Sequence, residues 1–125
     1  EQQTLRAFYR QLLRVARSEK AITQGEMYDL TYAQGEGFNK HEQYAYIRKY
    51  KKQTLLVVLN FDDRQVDVQV RIPQDAFEYL KLEEESLAKA EDLLTGTEYT
   101  FPLHPHTPIC LTLPAWKGVI LKIKS

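Results

Sequence analysis

From Tyr44 to Ile72 the chain reads YAYIRKYKKQTLLVVLNFDDRQVDVQVRI, three apolar runs separated by polar turns. Leu55 to Leu59 is unbroken and rich in β-branched residues, the pattern of a strand covered on both faces. Val66, Val68, Val70 and Ile72 alternate with Asp67, Gln69 and Arg71, a strand with one dry and one wet face. Tyr44–Tyr50 reads as an aromatic partner strand that ends in the charged turn Lys51-Lys52. Three adjacent antiparallel strands are expected here, at the heart of a β-sandwich sheet. None carries a catalytic constellation.

The flanking segments extend that picture. Between Thr4 and Glu19, Leu5, Phe8, Leu12, Val15 and Ala16 recur at helical spacing, and Tyr9 and Leu13 widen the stripe. Thr4 suits the N-cap, and Arg6, Arg10, Arg14 and Arg17 take the other side. After Gly25, Glu26–Tyr32 reads as a first strand with Tyr28, Leu30 and Tyr32 on one face; Ala33–Gln43 reads as a loop. Pro73 closes the third central strand. A short helical turn is expected near Asp75–Leu80, then an acidic loop through Glu83, Glu84 and Glu85, then a strand ending at Asp92-Leu93-Leu94. Tyr99-Thr100-Phe101 is a short strand, and Pro102, Pro105 and Pro108 predict a stiff, extended loop after it. Ile109–Leu113 and Val119–Ile123, joined by Pro114-Ala115-Trp116-Lys117-Gly118, read as a closing hairpin. Short strands with regular turn signals predict a mainly antiparallel β-sandwich preceded by one N-terminal α-helix.

Composition narrows function by exclusion. Seventeen basic residues balance seventeen acidic ones, so no global field favours nucleic acid or an anionic membrane, and the arginine face of the helix reads as solvated. The apolar runs fall far short of the ~20 residues of a membrane helix. A single cysteine, Cys110, excludes an internal disulfide and assigns no compartment. His104, His106 and Cys110 are the only local group of metal-ligand types; three candidates on a proline-stiffened loop, with His41 distant, read as ordinary loop residues and a buried thiol. Asp62, Asp63, Glu83, Glu84, Glu85, Glu91 and Asp92 form a turn dyad and exposed runs, not two carboxylates facing across a cleft. Neither a cofactor nor a metal is expected. Tyr28, Tyr32, Tyr99 and Trp116 are candidates for sugar stacking, because pyranose faces pack on exposed rings. Trp116 leads, since it falls in a turn.

In order, the chain reads LRAFYRQLLRVARSEKAITQG, a first strand, YAYIRKYKKQTLLVVLNF, DLLTG and a closing LTLPAWKGVILKI. That ordered set resembles the end of an α-amylase family enzyme (glycoside hydrolase family 13), where the last helix of the catalytic barrel runs into the C-terminal β-domain. Phe8, Tyr9 and Leu12 match the helix pattern of that family, and Val58-Leu59-Asn60-Phe61 matches its strand ending. The resemblance implies a Greek-key sandwich at residues 24–125 behind a last barrel helix and linker at residues 1–23. It implies a parent chain that hydrolyses or transfers glycosyl groups on α-glucans. The family's nucleophile, general acid/base and second aspartate lie on barrel strands upstream of that helix, and a barrel needs ~250 residues. No catalytic residue is therefore carried over.

What remains for this piece is a non-catalytic role, packing against an upstream catalytic barrel of the parent chain and contacting α-glucan. In the parent, Leu5, Phe8, Tyr9 and Leu12 would pack on the barrel. Leaving such side chains in water costs roughly 1.5–3 kcal/mol each. Without a barrel, the helix is therefore expected to fold back on a sandwich face or to pair with a second chain as a dimer. A free-standing carbohydrate-binding module and a protein-interaction sandwich are the competing readings.

Overall fold

The computed structural model describes residues 25–35 and 37–124, together with Ala7, Arg10, Gln11 and Arg14, which are helical and exposed. Thr4, Leu5, Phe8, Tyr9 and Leu12 lie outside the described residues. The described strands are β1 (Glu26–Asp29), β2 (Gln43–Tyr50), β3 (Gln53–Asn60), β4 (Val66–Val70), β5 (Glu85–Asp92), β6 (Glu98–Leu103), β7 (Ile109–Leu113) and β8 (Gly118–Lys124). A 3-10 turn at Thr31–Ala33 follows β1, and the helix α1 (Gln74–Leu80) links β4 to β5. Six strands form one sheet in the order β1-β2-β3-β8-β5-β6, and β4 and β7 form a second. Every pairing is antiparallel.

The expected mainly antiparallel sandwich is present, with two differences in how its strands are shared. β4 does not sit beside β3. It pairs with β7 (Val68 opposite Leu111), so the Asp62-Asp63-Arg64 turn carries the chain from one sheet to the other. The closing hairpin is also absent. β7 lies in the small sheet and β8 in the large one, between β3 and β5, so the Pro114–Gly118 connection crosses the sandwich. Local alternation gives a strand its faces; only pairing across the core gives it a neighbour.

Inward positions of both sheets build the main core. Ala45 and Ile47, Leu56 and Val58, and Val119, Leu121 and Ile123 face Val68, Val70, Ile109, Leu111 and Leu113. Helix α1 closes one end by burying Ala76, Phe77 and Leu80. It starts after an extended Pro73, where a missing N–H costs nothing, and stops at Lys81, which is left-handed (φ 55°). β6 runs straight through Pro102. It is an edge strand with a free side, where proline is tolerated, and this is why the proline-rich stretch begins later than its composition suggests.

Buried polar side chains tie the loops to this frame. Gln34 Nε2 donates to the Leu30 and Arg71 carbonyls at 2.8 and 2.6 Å, and its Oε1 accepts from the Arg71 amide at 2.7 Å. One side-chain amide thus substitutes for a ladder rung and pins the loop after β1 to the end of β4. Asp92 Oδ1 accepts from the Leu94 and Ile120 amides, and its Oδ2 accepts from the Thr95 hydroxyl. The DLLTG motif is therefore a capped turn, with Gly96 at φ +80°.

Candidate functional site

Two surfaces stand out. The first is a tyrosine cluster where β1, the 3-10 turn and α1 meet. Tyr28 is half-buried against the main core, while Tyr32 and Tyr79 are 57% and 59% exposed. Ring centroids lie 6.2 Å apart for Tyr28–Tyr32 and 5.7 Å for Tyr28–Tyr79, with interplanar angles of 50° and 49°. The Tyr28 and Tyr32 hydroxyls share a 2.6 Å hydrogen bond. That bond, with partial burial and the nearby Tyr32 and Asp75, pushes the Tyr28 phenol up to about 12.

Local structure fixes these rings. Thr31 docks the turn on β2: its hydroxyl donates to the Ala45 carbonyl at 3.2 Å and accepts from the Ala45 amide at 3.0 Å. Lys40 Nζ donates to the Tyr32 carbonyl at 3.2 Å. Phe77 and Leu80, at helical spacing, turn inward and leave Tyr79 on the outer side of α1. Beside Tyr79 opens a cleft of about 480 Å³ whose lining includes Glu26, Lys49, Lys51 and Lys81 together with Tyr50 and Leu80. Exposed rings next to hydrogen-bonding and charged groups suit a ligand with apolar faces and polar edges.

Of the four aromatic candidates, the fold brings Tyr28 and Tyr32 together and keeps the other two apart. Tyr99 lies on β6, packs against the main core, and has its phenol raised by burial and by Asp92. Trp116 sits in the crossover between β7 and β8, half-buried and at φ 58°. Its Nε1–H is buried without a hydrogen-bond partner among the described residues. Tyr79 was missed, although its place off the Phe77/Leu80 side of the expected helical turn is a signal the sequence carries.

The second surface is the outer face of the large sheet, turned away from β4 and β7. Leu55, Val57 and Ile120 are fully buried there and Leu59 nearly so, with Tyr44, Tyr46, Tyr50, Leu93 and Leu94 partly buried around them. The Tyr44 and Tyr46 rings are 5.4 Å apart, and burial raises both phenols. This face explains the unbroken Leu55–Leu59 run, since β3 has apolar material on both sides.

No chemistry of bond cleavage is assembled elsewhere among the described residues. His104 Nδ1 is 3.0 Å from Glu84 Oε1, Cys110 is exposed rather than buried, and no group of three His, Cys, Asp or Glu is placed to hold a metal ion. Glu42 and Asp62 form a carboxyl pair: a hydrogen bond between them raises Glu42 and lowers Asp62. No described helix is long and apolar enough to cross a membrane.

The described residues form a two-sheet antiparallel β-sandwich with aromatic surface features, the architecture of a β-sandwich domain. Residues 38–120, more than half of the chain, match the family model of the maltogenic amylase C-terminal domain, and the chain belongs to that family. The same fold occurs in a noncanonic maltogenic α-amylase from Thermotoga neapolitana (13% identity, TM-score 0.63), covering 90% of this chain and 24% of that one. It occurs also in AmyP solved with maltose (15% identity, TM-score 0.61, 90% and 19% covered). An α-galactosidase from Mortierella vinacea shares it too (17% identity, TM-score 0.57, 84% and 25% covered). This chain thus spans a quarter or less of each of these enzymes. A search of curated proteins found no sequence relative.

Proposed function

We propose that this domain follows the catalytic barrel of an α-glucan-active enzyme, with residues 1–23 as the last barrel helix and linker, and that it both steadies the barrel and holds glucan. The observation that carries the glucan contact is the exposure of Tyr32 and Tyr79, each with its ring near that of Tyr28, beside an open cleft of mixed polar and apolar lining. Tilted rings at this spacing offer a curved chain more than one stacking face, and Lys49, Lys51 and Glu26 supply donors and acceptors for hydroxyls. The maltose carried by AmyP supports the ligand class and leaves its seat open.

The test is an NMR titration of the chain with a linear malto-oligosaccharide. Saturable shifts are expected around Tyr28, Tyr32 and Tyr79, and Tyr79→Ala is expected to weaken them about tenfold. Shifts centred on the Trp116 indole instead would move the site to the β7–β8 crossover. An unchanged spectrum at millimolar sugar would remove the glucan role and leave a scaffold.

A further inference from the structure

The inner face of the large sheet changes character at one end. Ala45 and Ile47 on β2, and Leu56 and Val58 on β3, are buried apolar residues of the main core. One further step of the alternation brings Lys49 and Thr54, which stand opposite each other in the register. The pattern that builds the core thus delivers a cation and a hydroxyl where the core ends. There a cleft of about 330 Å³ opens, lined by Lys49, Lys51, Lys52, Thr54 and Lys81. Leu82, Leu103 and Ile123 give it apolar surface, and Glu83 and Glu85 also reach its wall. In a chain of zero net charge, four cations beside two anions make a local positive excess.

Several features separate this recess from a merely solvated lysine surface. Among the described residues none of the four ammonium groups is in an ion pair, although two carboxylates share the cleft. Lys49 Nζ donates to the Lys81 carbonyl at 2.8 Å, which ties β2 to the end of α1 and leaves two of its three donors for a ligand. Thr54 is only 8% exposed, and its hydroxyl makes no hydrogen bond within the described residues. Lys51, in the two-residue turn between β2 and β3, and Lys81 both hold left-handed backbone at φ 55°, where glycine would be unstrained. Of the four described non-glycine residues in that region, two are therefore lysines of this one wall. Backbone strain of this kind gathers at ligand sites.

We infer that this cleft seats the phosphate monoester of a phosphorylated sugar. A monoester carries close to two negative charges at neutral pH, which matches the local positive excess. Lysine ammonium groups bind phosphate oxygens as point charges, and the Leu82, Leu103 and Ile123 surface suits the apolar face of a sugar ring. Lys49, Lys51 and Lys81 line both this cleft and the one beside Tyr79, so a phosphorylated unit here lies next to the glucan seat proposed above. The anion seat does not depend on that glucan reading, because Lys52 and Thr54 belong to this cleft alone.

The test titrates the whole chain with glucose 6-phosphate, inorganic phosphate and glucose, followed by NMR at about 0.15 M salt to screen diffuse attraction. Saturable shifts are expected at the amides of Lys49, Lys52, Thr54 and Lys81 with glucose 6-phosphate. Inorganic phosphate should shift the same amides with roughly tenfold weaker affinity, and glucose should leave them unmoved. Equal affinity for the ester and the free ion would give the seat to phosphate alone and overturn the proposal. Shifts spread evenly over other exposed lysines, such as Lys40 and Lys117, would mean surface screening and overturn it too, as would no shift at millimolar ester. Lys52→Gln and Thr54→Val should each weaken the ester about fivefold with the rest of the spectrum in place; unchanged affinity in both would count against the seat. Lys51→Gly should raise the melting temperature and weaken the ester, whereas a strained lysine with no ligand would move only the first. Malto-oligosaccharide shifts at Tyr28, Tyr32 and Tyr79 are expected to survive Lys52→Gln and Thr54→Val, so this proposal and the glucan reading fail separately.

Discussion

Asn60 is buried where β3 leaves the large sheet, with its hydrogen-bonding groups in use. Its Nδ2 donates to the Arg64 and Pro114 carbonyls, each at 3.0 Å, and its Oδ1 accepts from Gln43 Nε2 and the Asp62 amide at 3.1 and 3.0 Å. One side chain therefore holds both crossings between the sheets, the β3–β4 turn and the β7–β8 connection. Asn60→Ala leaves several buried partners unpaired and should cost about 2–4 kcal/mol in urea unfolding; a loss below half a kcal/mol would show that water replaces it. Gly118 is fixed by space instead. A Cβ there would lie 2.2 Å from the Val58 carbonyl oxygen and 2.8 Å from a Leu59 methyl, so Gly118→Ala must part β8 from β3. A loss of about 3 kcal/mol, or no folded protein, is the expected outcome in the same assay. At the tyrosine cluster, Tyr28 keeps its proton above its ordinary value of 10 because of the bond to Tyr32. A raised folded-state value stabilises the fold below pH 10, and that contribution is lost as pH rises through about 12. Tyr32→Phe should bring the Tyr28 step in a phenolate absorbance titration back toward 10; an unmoved step would mean burial, not the hydrogen bond, holds it.

At the scale of elements, the alternation in Val66–Val70 and the continuous run in Leu55–Leu59 were both legible, because side-chain period follows directly from strand geometry. Their neighbours were not legible. β4 could have completed a meander with β3, and β7 and β8 could have closed a hairpin; in each case the intervening turn bends across the core, held by Asn60. The tyrosine cluster was half legible for a similar reason. Tyr28 and Tyr32 are four residues apart, but Tyr79 reaches them from another part of the chain through the packing of α1 beside β1. Helix α1 also carries a local conflict. Lys81 caps it in the left-handed region, where a side chain costs energy and glycine does not. Lys81→Gly should therefore raise stability by about 0.5–1 kcal/mol in denaturant melts, since the carbonyl that accepts from Lys49 Nζ is retained. A loss would show that the lysine stem packs on its surroundings.

For the molecule as a whole, β3 is the strand with most to lose. It pairs on both sides, with β2 and β8, and is covered on both faces, whereas β1 and β6 are edges. Amide hydrogen exchange should show β3 and β8 opening only with global unfolding, and β1 and β6 opening sooner; protection at β1 equal to that at β3 would contradict this layering. By itself the sequence determined most of the elements (though the strand expected over Glu26–Tyr32 stops at Asp29 and turns at Thr31–Ala33), the sandwich class and membership in the α-amylase C-terminal domain group, because periodicity, turn residues and ordered motifs are local or nearly so. Only the tertiary structure decided which strands share a sheet, why Asn60 and Asp92 stand in their motifs, and which rings meet at the surface. Those depend on contacts between residues far apart in the chain, where many pairings satisfy the same local pattern and the packing of one core selects among them.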